Sequence, residues 1–158
     1  MSARPPGRLL RLVFKAPVVL YRLHLGWLLG ERFILLTHTG RQTGRARMTV
    51  IEVVAHDRSI PEVVVIAAWG ERAQWVRNLE VAPAVSVQFG QVCWSHPEHR
   101  FLEPAQAAQT VAAYRSEHPF AARVLARLLG WPRDTGDPKY ERFVQTLCAV
   151  AFRPATAA

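Results

Sequence analysis

Acid is scarce in this chain, and lysine scarcer still. Twelve Asp and Glu stand against twenty Lys and Arg, a formal net charge of +8 over 158 residues, and lysine occurs only at Lys15 and Lys139. The positive charge is therefore arginine, which favours fixed, bidentate contacts to phosphate or carboxylate. A polyanionic partner fits: nucleic acid, an acidic membrane surface or a phosphorylated cofactor. No reading helix, zinc knuckle or aromatic RNA-binding strand motif is recognisable, which argues against nucleic acid. Cysteine is confined to Cys93 and Cys148. Without a CxxC pair or Cys/His cluster no metal site is expected. The two read as buried thiols in a reducing cytoplasm, with a disulfide as the minority alternative. A long apolar run is missing too. Leu9 to Leu29 is broken by Arg11, Lys15, Arg22, His24 and Pro17, short of the roughly 20 residues a membrane helix needs. No signal-type cleavage site follows it. Residues 1–30 read as a broken amphipathic helix packing on its own domain, with peripheral membrane contact as the alternative.

Half of the residues are apolar, enough for one folded domain spanning 1–158, with 31–153 as its body and 154–158 as a frayed tail. Strand patterns cover Phe33–Thr39, Arg47–Val54, Glu62–Ala68 and Ala84–Phe89. Val92–Leu102 reads as one longer strand that Pro97 kinks or bulges. Glu71–Glu80 reads as a short helix with Trp75 and Leu79 on one face. The last third is helical. Glu103-Pro104 starts a helix with Ala105, Ala108, Val111 and Ala112 on one side. Phe120–Leu129 is capped by Gly130. A third helix starts at Asp137-Pro138, with Tyr140, Phe143, Val144 and Leu147 inward, and Cys148–Phe152 closes as a strand. The expected fold is α+β: a barrel or strongly curled sheet of about six mainly antiparallel strands, with an N-terminal helix and C-terminal helical cover.

The chemistry concentrates between the first two strands. From Arg32 to Ile51 there is no acid, while Arg32, Arg41, Arg45 and Arg47 are all present. Gly40 and Gly44 suit positive φ and would let backbone amides converge on an anion. Thr39 and Thr43 add hydroxyls, and Arg41 and Arg47 charged forks. The spacing differs from a Walker loop, which places four residues between its glycines and a helix afterwards.

The ordered set Leu35-Leu36-Thr37-His38-Thr39-Gly40-Arg41-Gln42-Thr43-Gly44-Arg45-Ala46-Arg47, then Ala67-Ala68-Trp69-Gly70, then Gln74-Trp75-Val76-Arg77-Asn78-Leu79 with Pro83 resembles the deazaflavin-dependent nitroreductase family. The resemblance implies a split β-barrel related to flavin-binding barrels, and coenzyme F420 as cofactor, with FMN as the alternative. It gives Arg41, Gln42, Thr43, Gly44 and Arg47 a phosphate grip, joined by Thr39 and Arg45. It lays Ala67, Ala68, Trp69 and Gly70 along the ring system, and has Trp75 and Asn78 support the pocket. Taken alone, Trp75 is equally a core aromatic, Asn78 and His38 local hydrogen-bonders. The family commonly carries lysine in place of Gln42 and tyrosine in place of Val76. The implied activity is transfer of hydride from reduced F420 to a small acceptor (a quinone, activated alkene or nitro compound), chemistry that the cofactor carries. Tyr114 and Tyr140 are candidate proton donors. A non-catalytic barrel sequestering a cofactor or apolar ligand is the alternative function; homodimer formation is open, and the cytoplasm is the expected location.

Overall fold

The computed structural model describes residues 30–57, 59–67, 69–132 and 136–156. The expected N-terminal helix lies outside the described residues. Seven strands form one antiparallel sheet: β1 (Phe33–Thr39), β2 (Ala46–Asp57), β3 (Glu62–Ala67), β4 (Ser86–Phe89), β5 (Val92–Ser95), β6 (Glu98–Phe101) and β7 (Cys148–Arg153). Their order is β5-β4-β1-β2-β3-β7-β6. Four helices join them: α1 (Gln74–Leu79), preceded by a 3-10 turn at Gly70–Arg72, then α2 (Pro104–Glu117), α3 (Pro119–Leu129) and α4 (Lys139–Gln145).

Seven strands replace the expected six because Val92–Leu102 divides at His96-Pro97. Strands β5 and β6 are neighbours in sequence but occupy opposite edges of the sheet. A two-residue corner can span the two edges only if the sheet curls back on itself. Pro97 is fully buried there, and His96 adopts a φ of +47°, an uncommon conformation for a residue with a side chain. A β-bulge between Val53 and Ala55 re-aims β2 where it passes from pairing with β1 to pairing with β3, since the additional residue sharpens bend and twist. Together, bulge and corner curl the sheet into a half-barrel.

The curl makes two cores. Inside it, Ile34, Leu36, Ile51, Val53, Val63, Val65, Val87, Val150 and Phe152 pack with Trp75, Val76 and Leu79 of α1. Outside, Val54, Val64, Ile66, Ala149 and Ala151 meet Ala107, Val111 and Tyr114 of α2, Ala122 and Ala126 of α3, and Trp131. Strands β3 and β7 are covered on both faces, which explains why Val63–Ala67 and Cys148–Phe152 are apolar throughout instead of alternating. Along α2 the buried stripe is Ala107, Val111 and Tyr114. Ala105 and Ala112 of the expected stripe are exposed, because alanine patterning alone does not mark which face meets the sheet. Gly130 caps α3 at φ +67° as expected.

One detail corrects the expectation of two buried thiols. Cys93 is exposed on edge strand β5 and only Cys148 is buried, both as free thiols. Burial first, then Glu71 and Glu80, pushes the Cys148 thiol up to about 11. Gly70 has φ +55°, and a Cβ there would lie 2.6 Å from the Thr146 carbonyl oxygen, so the fold itself requires glycine at this position.

Two outcomes follow. Gly70→Ala should cost about 1–3 kcal/mol in urea unfolding, whereas Gly130→Ala, with nothing near its Cβ position, should cost about 1 kcal/mol. A thiol-alkylating reagent at pH 8 should modify one cysteine, Cys93, in the native protein and both in denaturant, read by mass spectrometry.

Candidate functional site

Antiparallel pairing of β1 with β2 ends at Thr39 and Ala46, leaving the loop Gly40 to Arg45 at the hairpin tip. The loop folds on itself. Gly40 N–H donates to the Arg45 carbonyl (2.8 Å), and Thr43 and Gly44 N–H both donate to the Gly40 carbonyl (3.1 and 2.8 Å). Arg45 N–H reaches Thr43 Oγ1 at 3.4 Å. This narrows the expectation of amides converging on an anion: the N–H groups of Gly40, Thr43 and Gly44 are spent inside the turn. The two glycines also differ. Gly44 has the positive φ, +63°. Gly40 is there for close approach, since a Cβ would come within 3.0 Å of Thr43 Oγ1 and 3.3 Å of Arg47 Nε.

A buried amide ties this loop to α1. Asn78 Oδ1 accepts from both Arg41 N–H and Arg41 Nη1, each at 3.1 Å. Arg41 Nη1 also donates to Gln74 Oε1 at 3.0 Å. With its oxygen so occupied, Asn78 must turn Nδ2 toward His38 Nδ1, 2.9 Å away. His38 Nδ1 is then an acceptor and the ring proton sits on Nε2, which faces Thr49 Oγ1 at 3.3 Å. Asn78 and His38, the middle of the chain Thr49–His38–Asn78–Arg41, are 5% and 3% exposed and lie away from solvent, where polar groups must be paired, while Thr49 and Arg41 at its ends are half-buried. His38 titrates below its ordinary value, first through burial and then through the Arg47 charge.

The guanidinium of Arg41 is thus held by two neutral amide oxygens. Neither acceptor cancels its charge, and Nε and Nη2 are left available. Arg45 and Arg47 are exposed beside it, and neither forms a salt bridge among the described residues. Arg47 lies opposite His38 in the hairpin, so the two side chains share a face of the sheet. Gln42 and Thr43 are exposed, Thr39 half-buried. The tip therefore presents three arginines, one of them held in place, and among the described residues no acid pairs with any of them, a set of side chains suited to an anion.

The remaining candidates fall elsewhere. Trp75 is buried in the inner core, the role expected of it as a lone aromatic. Val76 is fully buried with it, so the aliphatic residue there faces the barrel interior. Ala67 is buried on β3 and paired with Cys148; Ala68 lies outside the described residues; Trp69 is half-buried in the turn that follows. Tyr114 is not brought to the loop. Its hydroxyl donates to Glu52 Oε1 at 2.6 Å, and Glu52 pairs with Phe33 at the far end of the hairpin, six residues or about 20 Å from the tip. Burial, then the Glu52 contact, holds the phenol well above its ordinary range. Tyr140 packs with Phe143 and under the Arg115 guanidinium, 5.8 Å from the ring centroid. Sequence reasoning missed Gln74; its signal was the spacing of Gln74 and Asn78, four residues apart on one helical face.

The family model described as F420H(2)-dependent quinone reductase matches residues 22–120, which contain the loop and α1. Among solved structures, an F420-H2 dependent reductase (FDR-A) is 16% identical with a TM-score of 0.52, over 78% of this chain and 96% of that one. A structure described as a domain-swapped dimer is 15% identical with a TM-score of 0.52, over 87% and 99%. The heme storage protein HutZ from Vibrio cholerae is 13% identical with a TM-score of 0.52, over 87% and 92%. At such identities these structures share the fold, which by itself does not fix a ligand. No curated protein matches.

Protonating His38 would set an N–H against the Asn78 amide donor and force that amide away from Arg41. With a folded-state value below the unfolded one, the neutral ring's contribution is complete above about pH 6.5 and is lost as pH falls through the folded value. Chemical denaturation between pH 8 and 5 should show this loss, absent in His38→Gln. Asn78→Ala should cost about 1–3 kcal/mol, because it strands the partners of a buried amide.

Proposed function

Because the chain belongs to the F420H(2)-dependent quinone reductase family, we propose that its hairpin tip grips the phosphodiester and acidic tail of coenzyme F420 while the ring system lies toward Trp69. The protein is an F420-dependent reductase; what is proposed is which residues serve it and on what acceptor. The observation carrying the assignment is Arg41. Its guanidinium is oriented by Gln74 and Asn78 without being neutralised, the arrangement an anion site needs before its ligand arrives. Arg45 and Arg47 supply further charge for a cofactor with more than one anionic group. When bound, F420 supplies hydride to an acceptor.

This chain's residues then bind and orient. Arg41 fixes the position of the phosphate, because its own backbone N–H and side chain are anchored to one amide. Arg47 and Arg45 add attraction that salt screens. Gln42, where the family commonly has lysine, contributes a neutral amide, so the three arginines carry the charge. The acceptor class is a quinone, activated alkene or nitro compound, and pairing of two copies belongs to the same proposal.

Titration with F420, followed by the cofactor's fluorescence, tests the grip, with flavin mononucleotide in parallel. Arg41→Ala and Arg47→Ala should each weaken F420 binding about tenfold to hundredfold, the worth of roughly 1.5–3 kcal/mol for a hydrogen bond to a charged group. Gln42→Lys should tighten it. Unchanged affinity in both arginine variants would refute the assignment of the loop.

A further inference from the structure

A second basic surface lies on the helical layer, away from the hairpin tip. A recess of about 250 Å³ is lined by Arg115, Pro119, Ala122, Arg123, Ala126 and Arg127. Arg115 is fixed at its margin: Nη2 donates to the Pro132 carbonyl at 2.7 Å, and the guanidinium lies 5.8 Å from the ring centroids of Tyr140 and Phe143. Arg123 and Arg127 are exposed and form no salt bridge among the described residues. Helix α3 contains no acid, and Glu117, at the end of α2, does not line the recess.

The same face of α3 carries apolar groups in water. Phe120 is 77% exposed and Val124 42%. Along a helix turning about 100° per residue, positions 120, 123, 124 and 127 fall on one side, while Ala122 and Ala126 face the sheet. Arginines and apolar side chains therefore share the solvent face instead of dividing it. Contact with a nucleic acid backbone would use the arginines and leave Phe120 and Val124 wet. A bilayer interface takes both, phosphates against arginine and apolar tips below them.

We propose that α3 and the Arg115 recess form a docking surface for an anionic phospholipid bilayer, a lipid phosphate seating between Arg115, Arg123 and Arg127 and Phe120 entering the interface. The site owes nothing to the cofactor loop, so it stands or falls independently of the grip.

The test is co-sedimentation of the full chain with vesicles of phosphatidylcholine alone or mixed with phosphatidylglycerol. Binding should require phosphatidylglycerol and decline with salt. The double variant R123Q/R127Q should weaken it about 30-fold, from the loss of two cations near the surface. F120S should weaken it with the arginines intact, and F420 titration of all variants should be unaltered, showing that the fold persists. Three results would overturn the proposal: no binding to anionic vesicles, binding undiminished in both variants (contact through another segment), or retention only on duplex DNA.

Discussion

One carboxamide holds the hairpin tip, helix α1 and strand β1 together. The Asn78 oxygen receives two donors from Arg41 and its nitrogen serves His38, so a loop, a helix and a strand share a single planar group. A planar amide has one orientation that satisfies all three contacts. Once Arg41 claims the oxygen, the tautomer of His38 is decided, and with it the donor presented to Thr49. Being buried, Asn78 and His38 cannot exchange their partners for water at low cost. The position of the arginine at the tip is therefore a consequence of core packing: α1 sits where Trp75, Val76 and Leu79 plug the half-barrel, and Asn78 is carried into place with them.

That dependence also explains why a solvent-facing loop keeps a defined shape. The turn engages the amides of Gly40, Thr43 and Gly44 internally and that of Arg41 against Asn78, so what it turns outward is mainly side chain. Arg41 is directed by neutral oxygens, Arg45 and Arg47 by their positions beside the strand pair. Neutral anchoring leaves the full charge available, at the cost of keeping three cations close together.

Much of this was legible in the residues. The strand boundaries of β1, the glycine cap after α3 and the proline start of α2 follow from local chemistry, and the ordered motifs placed the loop correctly. What could not be read was long-range. Pro97 announced an irregularity, but not that it carries the chain from one sheet edge to the other. Glycine at 40 and 44 suggested two left-handed turns, whereas only one is left-handed and the other makes room for Thr43. Gln74 shares a helical face with Asn78, but that spacing gains a meaning only once the loop is folded against both. Apolar runs in β3 and β7 mark burial on both faces, yet nothing local says that helices cover the outer one.

The placement of β7 has a bearing on how this chain matures. The last strand lies between β3 and β6, pairing Val63 with Phe152 and Phe101 with Val150. A nascent polypeptide leaving the ribosome has every other strand of the sheet before it has this one. Until β7 emerges, β3 and β6 each offer an open ladder edge with Val63 and Val65 at hand. Such a half-zipped intermediate is adhesive toward its own kind, and completion of the sheet rests on the strand of it that is made last.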